Sequence, residues 1–561
     1  MKKLMAITLG VAGFMLLGWI AAWAAELPGA VLPGQIEQQF KKEPQIRAGQ
    51  PERVVVPEVD QPVPSNARGI RFKLTKIIIE AVTVYSESEL RSVYQDRLDQ
   101  EVSLSEIYQI ASSLTAKYRN DGYILSRVIV PVQSIEGGEV RLKAVEGYVA
   151  RVTIDGTTGW RKLVQRYAAQ ITKSRPLKNS VLERYLLLMN DLPGAFARAT
   201  IKPSPSEPGA SEMIVEFTQS KVQGGLGADN RGGELLGPLR LSADLSFNSV
   251  LGIQESTALR GVSSGNDQLI FGSLVHEERI GASGGKLTLS GSVTKAKPKE
   301  ILFIPLNLET SSQTGALAYS YPLIRSRSQN LFLRGSFTAH DGKTEIFGVE
   351  DTHDRIRAFR LGMTYDRADS LRGINLLDIE ISQGINGLGS SDKDDPMLSR
   401  PNGRPDFTKA ALYAARLQSL SERWSVLAAV NAQYAWTDLL SPELYSFGGE
   451  HFGRGYEPSE LVGDHGVAGK LELRFTETLP LRFPSSFTFY GFYDVGIIYL
   501  RSPDGDNDSD SAASAGVGLR VNLGSYFSGF AEWAKPLTRD VSAKQSRDPR
   551  GYWGVSTRFN F

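Results

Sequence analysis

Polar and apolar residues alternate along several segments of the C-terminal half of the chain. Within residues 487–499 the odd positions are Phe, Phe, Gly, Tyr, Val, Ile and Tyr, whereas the even positions include Thr488, Asp494 and Gly496. Because successive side chains of a strand point to opposite faces, this pattern predicts a strand with one apolar face. The same alternation recurs in three further segments: 239–247, 467–475 and 553–561.

Segments of about ten residues with one apolar face are typical of outer-membrane β-barrels. A soluble β-sandwich alternates too, so a single strand favours neither fold. Here the repetition continues to a terminal phenylalanine, Phe561, and from Gly224 onward no helical periodicity interrupts it. At ~20 residues per strand with its connection, roughly 16 strands fit, and an even number places the first and last strands side by side. The pattern predicts a 16-stranded transmembrane β-barrel over residues 222–561.

The N-terminal half has a different pattern, in which helical and strand periodicities follow each other in the same order twice. Residues 71–149 and 150–221 each predict one strand, two helices and two more strands, which is an internal repeat of domain size. The elements predicted for the first unit are strand 72–84, helices 86–98 and 103–120, and strands 124–132 and 139–145. Those of the second unit are strand 152–154, helices 160–171 and 179–190, and strands 196–201 and 213–217.

The segment before these units predicts a short helix and an extended linker. Pro33 and Gly34 precede a stretch, 35–42, with few helix breakers, so we expect a helix within residues 26–46. Residues 47–70 carry four prolines and little periodicity, which is typical of an extended linker.

Residues 1–25 have the pattern of a secretory signal peptide. Lys2 and Lys3 precede an apolar run over 4–20, and Ala22-Trp23-Ala24 fits a small-x-small cleavage site. The alternative is an uncleaved membrane anchor, because the run is long for a signal. No later segment has 18 consecutive apolar residues, so we expect any membrane span of the mature chain to be formed by strands.

Composition and motifs give no reason to expect an enzyme, a cofactor or a metal site. The formal net charge of +1 does not favour nucleic-acid binding, and the chain has no cysteine for a disulfide, a thiolate site or a nucleophile. Segments 261–265 and 281–285 fit G-x-S-x-G, but they lie between strand patterns and not at a strand-to-helix turn. The five histidines lack zinc spacing, and the acidic segment 504–510 lacks the distal glutamate of an EF-hand, so a solvated loop is favoured.

One arginine and one aspartate predict a contact between a loop and the barrel wall. Asp494 is a carboxylate within an aliphatic and aromatic strand, where an unpaired charge is costly. Arg454 lies in a glycine-rich segment, and its planar guanidinium suits bidentate pairing with a carboxylate. We expect a long loop that folds back into the barrel and is fixed to its inner wall; the alternative is a surface arginine and a wall aspartate that never meet. The residues of this predicted loop latch are Arg454, Gly455, Tyr456, Phe492, Asp494 and Gly496.

Several segments resemble the motifs of one transporter family. They are Gly122-Tyr123-Ile124-Leu125-Ser126-Arg127, Pro131-Val132-Gln133, Val145-Glu146-Gly147, Asp229-Asn230-Arg231-Gly232, Gly453-Arg454-Gly455-Tyr456 and Phe492-x-Asp494-x-Gly496. Together they resemble the transporters of two-partner secretion, the haemolysin activator and filamentous haemagglutinin exporter family, within the superfamily of outer-membrane barrels with periplasmic POTRA domains. The family usually has a hydrophobic residue before the arginine, where this chain has Gly453.

The resemblance implies a 16-stranded outer-membrane barrel, two periplasmic POTRA domains (71–149 and 150–221) and an N-terminal plug helix (26–46). It implies an outer-membrane transporter that secretes a large unfolded exoprotein to the cell surface without nucleotide. Its partners would be that exoprotein and outer-membrane lipid, with no nucleic acid, and the chain would be a monomer or weak dimer. The candidate capture residues are Tyr123, Ile124, Arg127, Pro131 and Gln133. An assembly factor of the same superfamily and a passive porin or uptake channel are the alternatives.

Overall fold

A computed structural model describes residues 28–41, 43–49, 54–55, 61–156, 159–265, 268–299, 303–502 and 507–561. The predicted signal peptide lies outside these residues. No helix within the described ranges is both long and apolar enough to cross a membrane.

The two N-terminal α+β units share one sheet topology, in which the first strand pairs in parallel with the last and the middle strand pairs antiparallel on the far side of the last. In the described residues up to 219, the helices are α1 (Gln35–Gln38), α2 (Glu87–Arg91), α3 (Leu104–Asn120), α4 (Arg161–Lys173) and α5 (Asn179–Asn190). The strands are β1 (Val54–Val55), β2 (Arg71–Lys73), β3 (Lys76–Glu80), β4 (Glu101–Ser103), β5 (Arg127–Ile129), β6 (Glu139–Val145), β7 (Tyr148–Asp155), β8 (Ala195–Pro203) and β9 (Ala210–Gln219).

Three of the elements predicted in the first unit have the wrong bounds. The predicted strand 72–84 is two strands, β2 and β3, which belong to different sheets. The predicted helix 86–98 is only α2 followed by a turn of 3-10 helix, Gln95–Arg97, because Tyr94, with φ −134° and ψ 0°, leaves the helical conformation and buries its ring in the domain core. The predicted strand 124–132 is only β5, because the chain first makes a turn in which the Ser126 N–H donates to the Tyr123 carbonyl at 3.0 Å. Helix α3 begins as the sequence predicts, with a capping box between Ser103 and Glu106.

The C-terminal part is a closed barrel of sixteen antiparallel strands, which confirms the predicted fold class. The barrel strands are β10 (Val222–Asp229), β11 (Arg240–Asn248), β12 (Glu255–Ser264), β13 (Leu269–Ile280), β14 (Gly285–Ala296), β15 (Glu309–Arg325), β16 (Gln329–Ile346), β17 (Val349–Ala368), β18 (Gly373–Gly384), β19 (Thr408–Ser419), β20 (Trp424–Ala435), β23 (His465–Leu479), β24 (Ser485–Arg501), β25 (Asn507–Leu523), β26 (Phe527–Pro536) and β27 (Arg550–Asn560). Two short strands, β21 (Tyr445–Phe447) and β22 (Leu461–Gly463), pair with each other in the loop between β20 and β23.

The first and last barrel strands close the cylinder, with Gln223 opposite Asn560 and Asp229 opposite Gly554. The side chains follow the parity of the sequence. On β24 the outward Phe489 is 52% exposed, whereas the inward Asp494 is fully buried. The lipid-facing and lumen-facing positions are therefore those that the alternation predicts.

The segment before the two units is less regular than predicted. Of the described residues within the predicted plug helix 26–46, only α1 is α-helical; a 3-10 turn, Gly29–Val31, precedes it, and residues 43–47 have no regular secondary structure. Four helical residues are too few to be stable alone, so contacts with the barrel must hold this segment. Further on, β1 pairs in parallel with β8 and thereby joins the sheet of the second unit.

Candidate functional site in the barrel lumen

The loop between β20 and β23, residues 436–464, folds back into the barrel. Its residues Phe447, Phe452 and Tyr456 are buried in one apolar cluster with side chains of the barrel wall. Burial of three aromatic rings stabilises the inward position of the loop by about 1.5–3 kcal/mol for each ring. We call this segment the re-entrant loop.

Arg454 of the re-entrant loop contacts Asp494 of β24 inside the lumen. The guanidinium donates from Nε and Nη2 to the two carboxylate oxygens at 2.9 and 2.8 Å, and the pair is almost completely buried. The backbone N–H groups of Gly453 and Arg454 donate to the same carboxylate at 3.2 and 3.0 Å. The guanidinium also stacks on Phe492, with 3.5 Å between its carbon and the ring centre. Five contacts thus fix one point of the loop to the wall.

Further charged residues surround this pair, and sequence reasoning did not connect them to it. Glu472 of β23 accepts a hydrogen bond of 2.6 Å from Arg454 Nη1 and also pairs with Arg474 and Arg520. Glu532 of β26 lies 3.7 Å from the same nitrogen and pairs with Arg231, a residue of the Asp229-Asn230-Arg231-Gly232 segment. Parity alone placed Glu472 and Arg474 on the lumen face; it gives no information about which residues across the lumen they reach.

Two glycines of the site are required by the ring of Phe447. A Cβ atom on Gly453 would lie 2.6 Å from that ring, and one on Gly496 would lie 2.4 Å from it. Gly453 also has a φ of +80°, in the left-handed region that favours glycine. This explains why the chain has glycine at 453, where a hydrophobic residue is usual in the family that it resembles; here Phe452 supplies the buried apolar side chain.

The remaining predicted latch residues contact the next strand, β25. The Gly455 N–H donates to Ser514 Oγ at 3.2 Å, and the Tyr456 hydroxyl donates to the Ala513 carbonyl at 2.9 Å. A Cβ on Gly455 would meet Ser514 at 2.9 Å, so the loop approaches the wall too closely for a larger residue. All six predicted latch residues therefore lie together.

The N-terminal segment occupies the lumen beside the re-entrant loop. Gln35 Nε2 donates to the Ser441 carbonyl of that loop at 2.7 Å, and Gln38 Nε2 donates to the Pro442 carbonyl at 2.9 Å. On the other side, the Glu37 carboxylate accepts hydrogen bonds from two hydroxyls of the wall, those of Ser292 and Thr314. We call residues 28–41 the plug segment, because it joins the loop to the opposite wall.

Comparison with known families shows to which protein family the chain belongs. The profile of the haemolysin secretion/activation proteins ShlB/FhaC/HecB matches residues 209–521, more than half of the chain, and that of the ShlB-type POTRA domain matches residues 72–147. The chain belongs to the ShlB/FhaC/HecB family. The resemblance drawn from its motifs is confirmed, and so are an outer-membrane barrel with periplasmic POTRA domains and the function of a secretion transporter.

Individual relatives are distant but similar over most of their length. The heme/hemopexin transporter protein HuxB of Haemophilus influenzae is 23% identical over 511 residues, 87% of each chain. The outer membrane transporter CdiB of Dickeya dadantii is 23% identical over 450 residues, 78% of each chain. In fold, CdiB from Escherichia coli superposes with a TM-score of 0.72 at 20% identity, over 90% of this chain and 93% of the other. BamA from Haemophilus ducreyi, lacking POTRA domains 1–3, superposes less closely, with a TM-score of 0.50 at 14% identity, over 87% of this chain and all of the other.

In this transporter, the five predicted capture residues lie in two places. Arg127 lies in β5, and Pro131 and Gln133 lie in the segment that follows it; the Gln133 amide is bonded to both backbone groups of Arg141 in β6. Tyr123 and Ile124 instead lie where the two units meet: a Lys178 ammonium lies 5.5 Å from the Tyr123 ring, and Ile124 packs on the core of the second unit.

Glu146, from the Val145-Glu146-Gly147 segment, makes contacts within the first unit, close to its end. Its carboxylate accepts from the Tyr118 hydroxyl at 2.9 Å and from the Thr83 N–H at 2.8 Å. Burial, with a smaller contribution from the Glu146 carboxylate, raises the pKa of the Tyr118 hydroxyl, which therefore remains a proton donor at periplasmic pH. These contacts hold together the last residues of the first unit, just before the second unit begins.

The periplasmic end of the lumen holds the chain that leads out of the plug segment. Asp366 of β17 accepts the Ala48 N–H and, at 3.0 Å, the Asn330 side-chain amide. Asn330 accepts from Arg325 at 2.8 Å, and Arg325 pairs bidentately with Asp191 of the second unit at 2.8 Å for both bonds. A continuous series of hydrogen bonds and one ion pair thus connects the start of the linker, the barrel wall and the second unit.

Asp366→Ala is expected to raise the channel activity of the purified transporter in planar lipid bilayers. The substitution removes the acceptor of the Ala48 N–H, a charge-assisted hydrogen bond that contributes about 1.5–3 kcal/mol. Since ~1.4 kcal/mol is a factor of ten in an equilibrium constant, the open time should rise about tenfold. Asp369→Ala is the matched control, because Asp369, in the turn after β17, pairs with Arg416 of β19 and not with the linker. Equal open times for both variants would show that Asp366 does not hold the plug segment.

Proposed function

We propose that this transporter captures an extended segment of a large exoprotein in the periplasm and passes it, unfolded, through the barrel once the plug segment has left the lumen. The observation that carries the proposal is the occupied lumen. A barrel whose interior holds a segment bonded to both the wall and the re-entrant loop needs a trigger before a polypeptide can pass. Arrival of the exoprotein at the POTRA domains is a trigger that fits their position before the barrel.

The POTRA sheets suit such a cargo, because an extended chain adds to a strand edge through main-chain hydrogen bonds and tolerates varied side chains. We assign capture to Arg127 of β5 and to Pro131 and Gln133, which follow that strand. Tyr123 and Ile124 position this edge through the POTRA junction. The proposal assigns no catalytic step and no nucleotide; folding of the exoprotein outside the cell supplies the free energy.

The re-entrant loop, fixed by Arg454, keeps one side of the lumen in place while the plug segment moves. The contacts of the re-entrant loop with the plug segment are weaker than its contacts with the barrel wall. The plug segment holds it through neutral amides, whereas Arg454 holds it through a buried ion pair. The weaker contacts are expected to break first, so the plug leaves and the loop stays.

Outer-membrane lipid is the second partner in this proposal, and it contacts the outward apolar face, which includes Phe489, Tyr493 and Val495. Each barrel carries its own latch and plug segment, so we propose that a monomer is sufficient and that any dimer is weak. The net charge of +1 supports no role for nucleic acid.

Co-expression tests the proposal. We expect cells that make this chain together with the large exported protein encoded beside its gene to release that protein into the medium. Cells with an empty vector should retain it, and outer-membrane levels of the barrel are measured in parallel. No release despite abundant folded barrel would contradict the proposal and favour an assembly factor.

A further inference from the structure

The re-entrant loop is bound to a second part of the barrel wall, formed by β17 and β19. Glu443 ends a short turn of 3-10 helix, Ser441–Glu443, in the first half of the loop. The Arg360 guanidinium of β17 donates to both of its carboxylate oxygens, at 2.6 and 3.2 Å. The Lys409 ammonium of β19 lies 2.7 Å from one of them. Glu443 is only 5% exposed, so this group of three charges, the Glu443 cluster, is shielded from water.

The backbone of the same turn is also fixed to the wall. The Glu443 carbonyl accepts from the Lys409 ammonium at 2.7 Å and from the Gln433 amide of β20 at 3.0 Å. Burial of Leu440 and Leu444 in a neighbouring apolar cluster keeps the turn inside the barrel, but apolar burial has no preferred direction. Hydrogen bonds and ion pairs do, so the Glu443 cluster determines which way the carbonyl groups of the turn point.

The other carbonyl groups of this turn bind the plug segment. The Gln35 amide donates to the Ser441 and Leu444 carbonyls at 2.7 and 3.2 Å. The Gln38 amide donates to the Pro442 and Leu444 carbonyls at 2.9 and 3.4 Å. Within residues 441–444, the wall therefore holds one carbonyl and the plug segment binds the three others.

The plug backbone also lies directly against the turn. A Cβ atom on Gly34 would lie 2.8 Å from the Cα atom of Pro442, and Gly34 has a φ of +81°. Closely packed groups tolerate little displacement of either partner. The plug segment therefore fits the turn only in the position and orientation that the wall gives it.

We infer that Glu443 is a positioning residue of the transporter, which holds the turn 441–444 in the orientation that receives the plug segment and so determines how readily the plug leaves the lumen. The inference deepens the proposed function, in which the plug must leave before the exoprotein passes. In the described part of the chain, neither Arg360 nor Lys409 pairs with another carboxylate. Without that of Glu443, the turn loses its fixed orientation, and the plug amides lose well-aligned acceptors.

Labelling of a single cysteine in the plug segment tests the inference. The chain has no native cysteine, and Ala30 of the plug segment is 5% exposed, so Ala30→Cys gives a small buried thiol. In the purified transporter, Glu443→Gln is expected to raise the rate at which a water-soluble maleimide labels this thiol by about tenfold. Spontaneous openings in planar bilayers should become more frequent by a similar factor. Heat-modifiable migration measures whether the barrel is folded, and a purely structural role in the barrel would change only that.

Glu380→Gln is the matched control. Glu380 lies on β18, between β17 and β19, and pairs with Arg334 of β16 at 3.2 Å, within the wall. Its labelling should equal that of the parent. Glu443→Gln combined with Lys409→Met leaves one fewer unpaired buried cation, so it serves where the single variant does not fold, and the same rise is expected.

Equal labelling of the parent and of the folded Glu443 variant would overturn the inference. An equal rise in the Glu380→Gln variant would assign the effect to the charge of the lumen and overturn it as well. Neither labelling nor channel recording needs an exoprotein. If the parent chain exports nothing, it is the proposed function that fails, and the labelling result still decides the role of Glu443.

Discussion

Arg454→Ala is expected to abolish export while the barrel remains folded in the outer membrane. Without the guanidinium, the fully buried Asp494 carboxylate keeps only the two backbone N–H donors of the loop. Removing one partner of a buried ion pair costs about 3–5 kcal/mol, which corresponds to a shift of more than a hundredfold toward a detached loop. The barrel wall is held by the hydrogen bonds between its strands and not by this pair. The substitution therefore destabilises the inward position of the loop and leaves the barrel folded.

Three measurements on whole cells check this expectation: exoprotein in the medium, heat-modifiable migration of the barrel, and cleavage of the re-entrant loop by external protease. Arg454→Lys keeps the charge but not the bidentate geometry, so it should restore export only in part. Arg547→Ala is the matched control, because Arg547 is an exposed loop arginine that pairs with Asp540. Full export by Arg454→Ala with an uncleaved loop would contradict the role of the latch.

The sequence predicts the barrel well because parity is a local property. Alternation in residues 487–499 and 553–561 is sufficient to give the strands, the lipid face and the lumen face. An aspartate on the lumen face of an apolar strand requires a partner, and the glycine-rich segment around Arg454 offered one. The contact between them follows from the cost of an unpaired buried charge, which applies in any fold.

The alternation of polar and apolar residues does not show which residues of neighbouring strands lie beside each other, and the sequence alone is insufficient for this. Glu472 lies directly opposite Phe492 because of the register between β23 and β24, and Arg454 stacks on that same ring. Register depends on the length and conformation of the turns, so the contacts of Glu472 and Glu532 with Arg454 require the three-dimensional structure.

The plug segment and the linker show a second limit. Residues 35–42 have few helix breakers, yet of the described residues 35–41 only α1 is α-helical, and its side-chain amides and carboxylate bind the loop and the barrel wall. The linker lacks periodicity, but β1 still pairs with β8 through its backbone. Contacts made by the main chain or by single polar side chains leave no repeating pattern in a sequence.

Deleting the plug segment, residues 28–41, is expected to raise the conductance of the purified transporter severalfold. Its apolar residues Val31, Ile36 and Phe40 are buried among barrel and loop side chains, and the Phe40 ring stacks on Phe271 with 4.4 Å between centres. Each buried side chain contributes about 1.5–3 kcal/mol to holding the segment in the lumen. The deletion leaves the barrel strands and the Arg454–Asp494 pair intact, so the sixteen-stranded wall should enclose a lumen with a larger free cross-section.

Planar-bilayer recordings of the deleted and the full chain measure this change, with Lys41→Ala as the control because that exposed side chain lies at the end of the segment. The experiment also separates a secretion transporter from an assembly factor. A barrel that only inserts other proteins needs no closed lumen, so its conductance should be indifferent to residues 28–41. If the deleted and full chains conduct equally, the segment does not close the pore, and release of exoprotein must be controlled elsewhere. If conductance rises and Asp366→Ala changes it in the same direction, the plug segment and its anchor act on one opening step, and retention of the plug becomes the barrier that the exoprotein has to overcome.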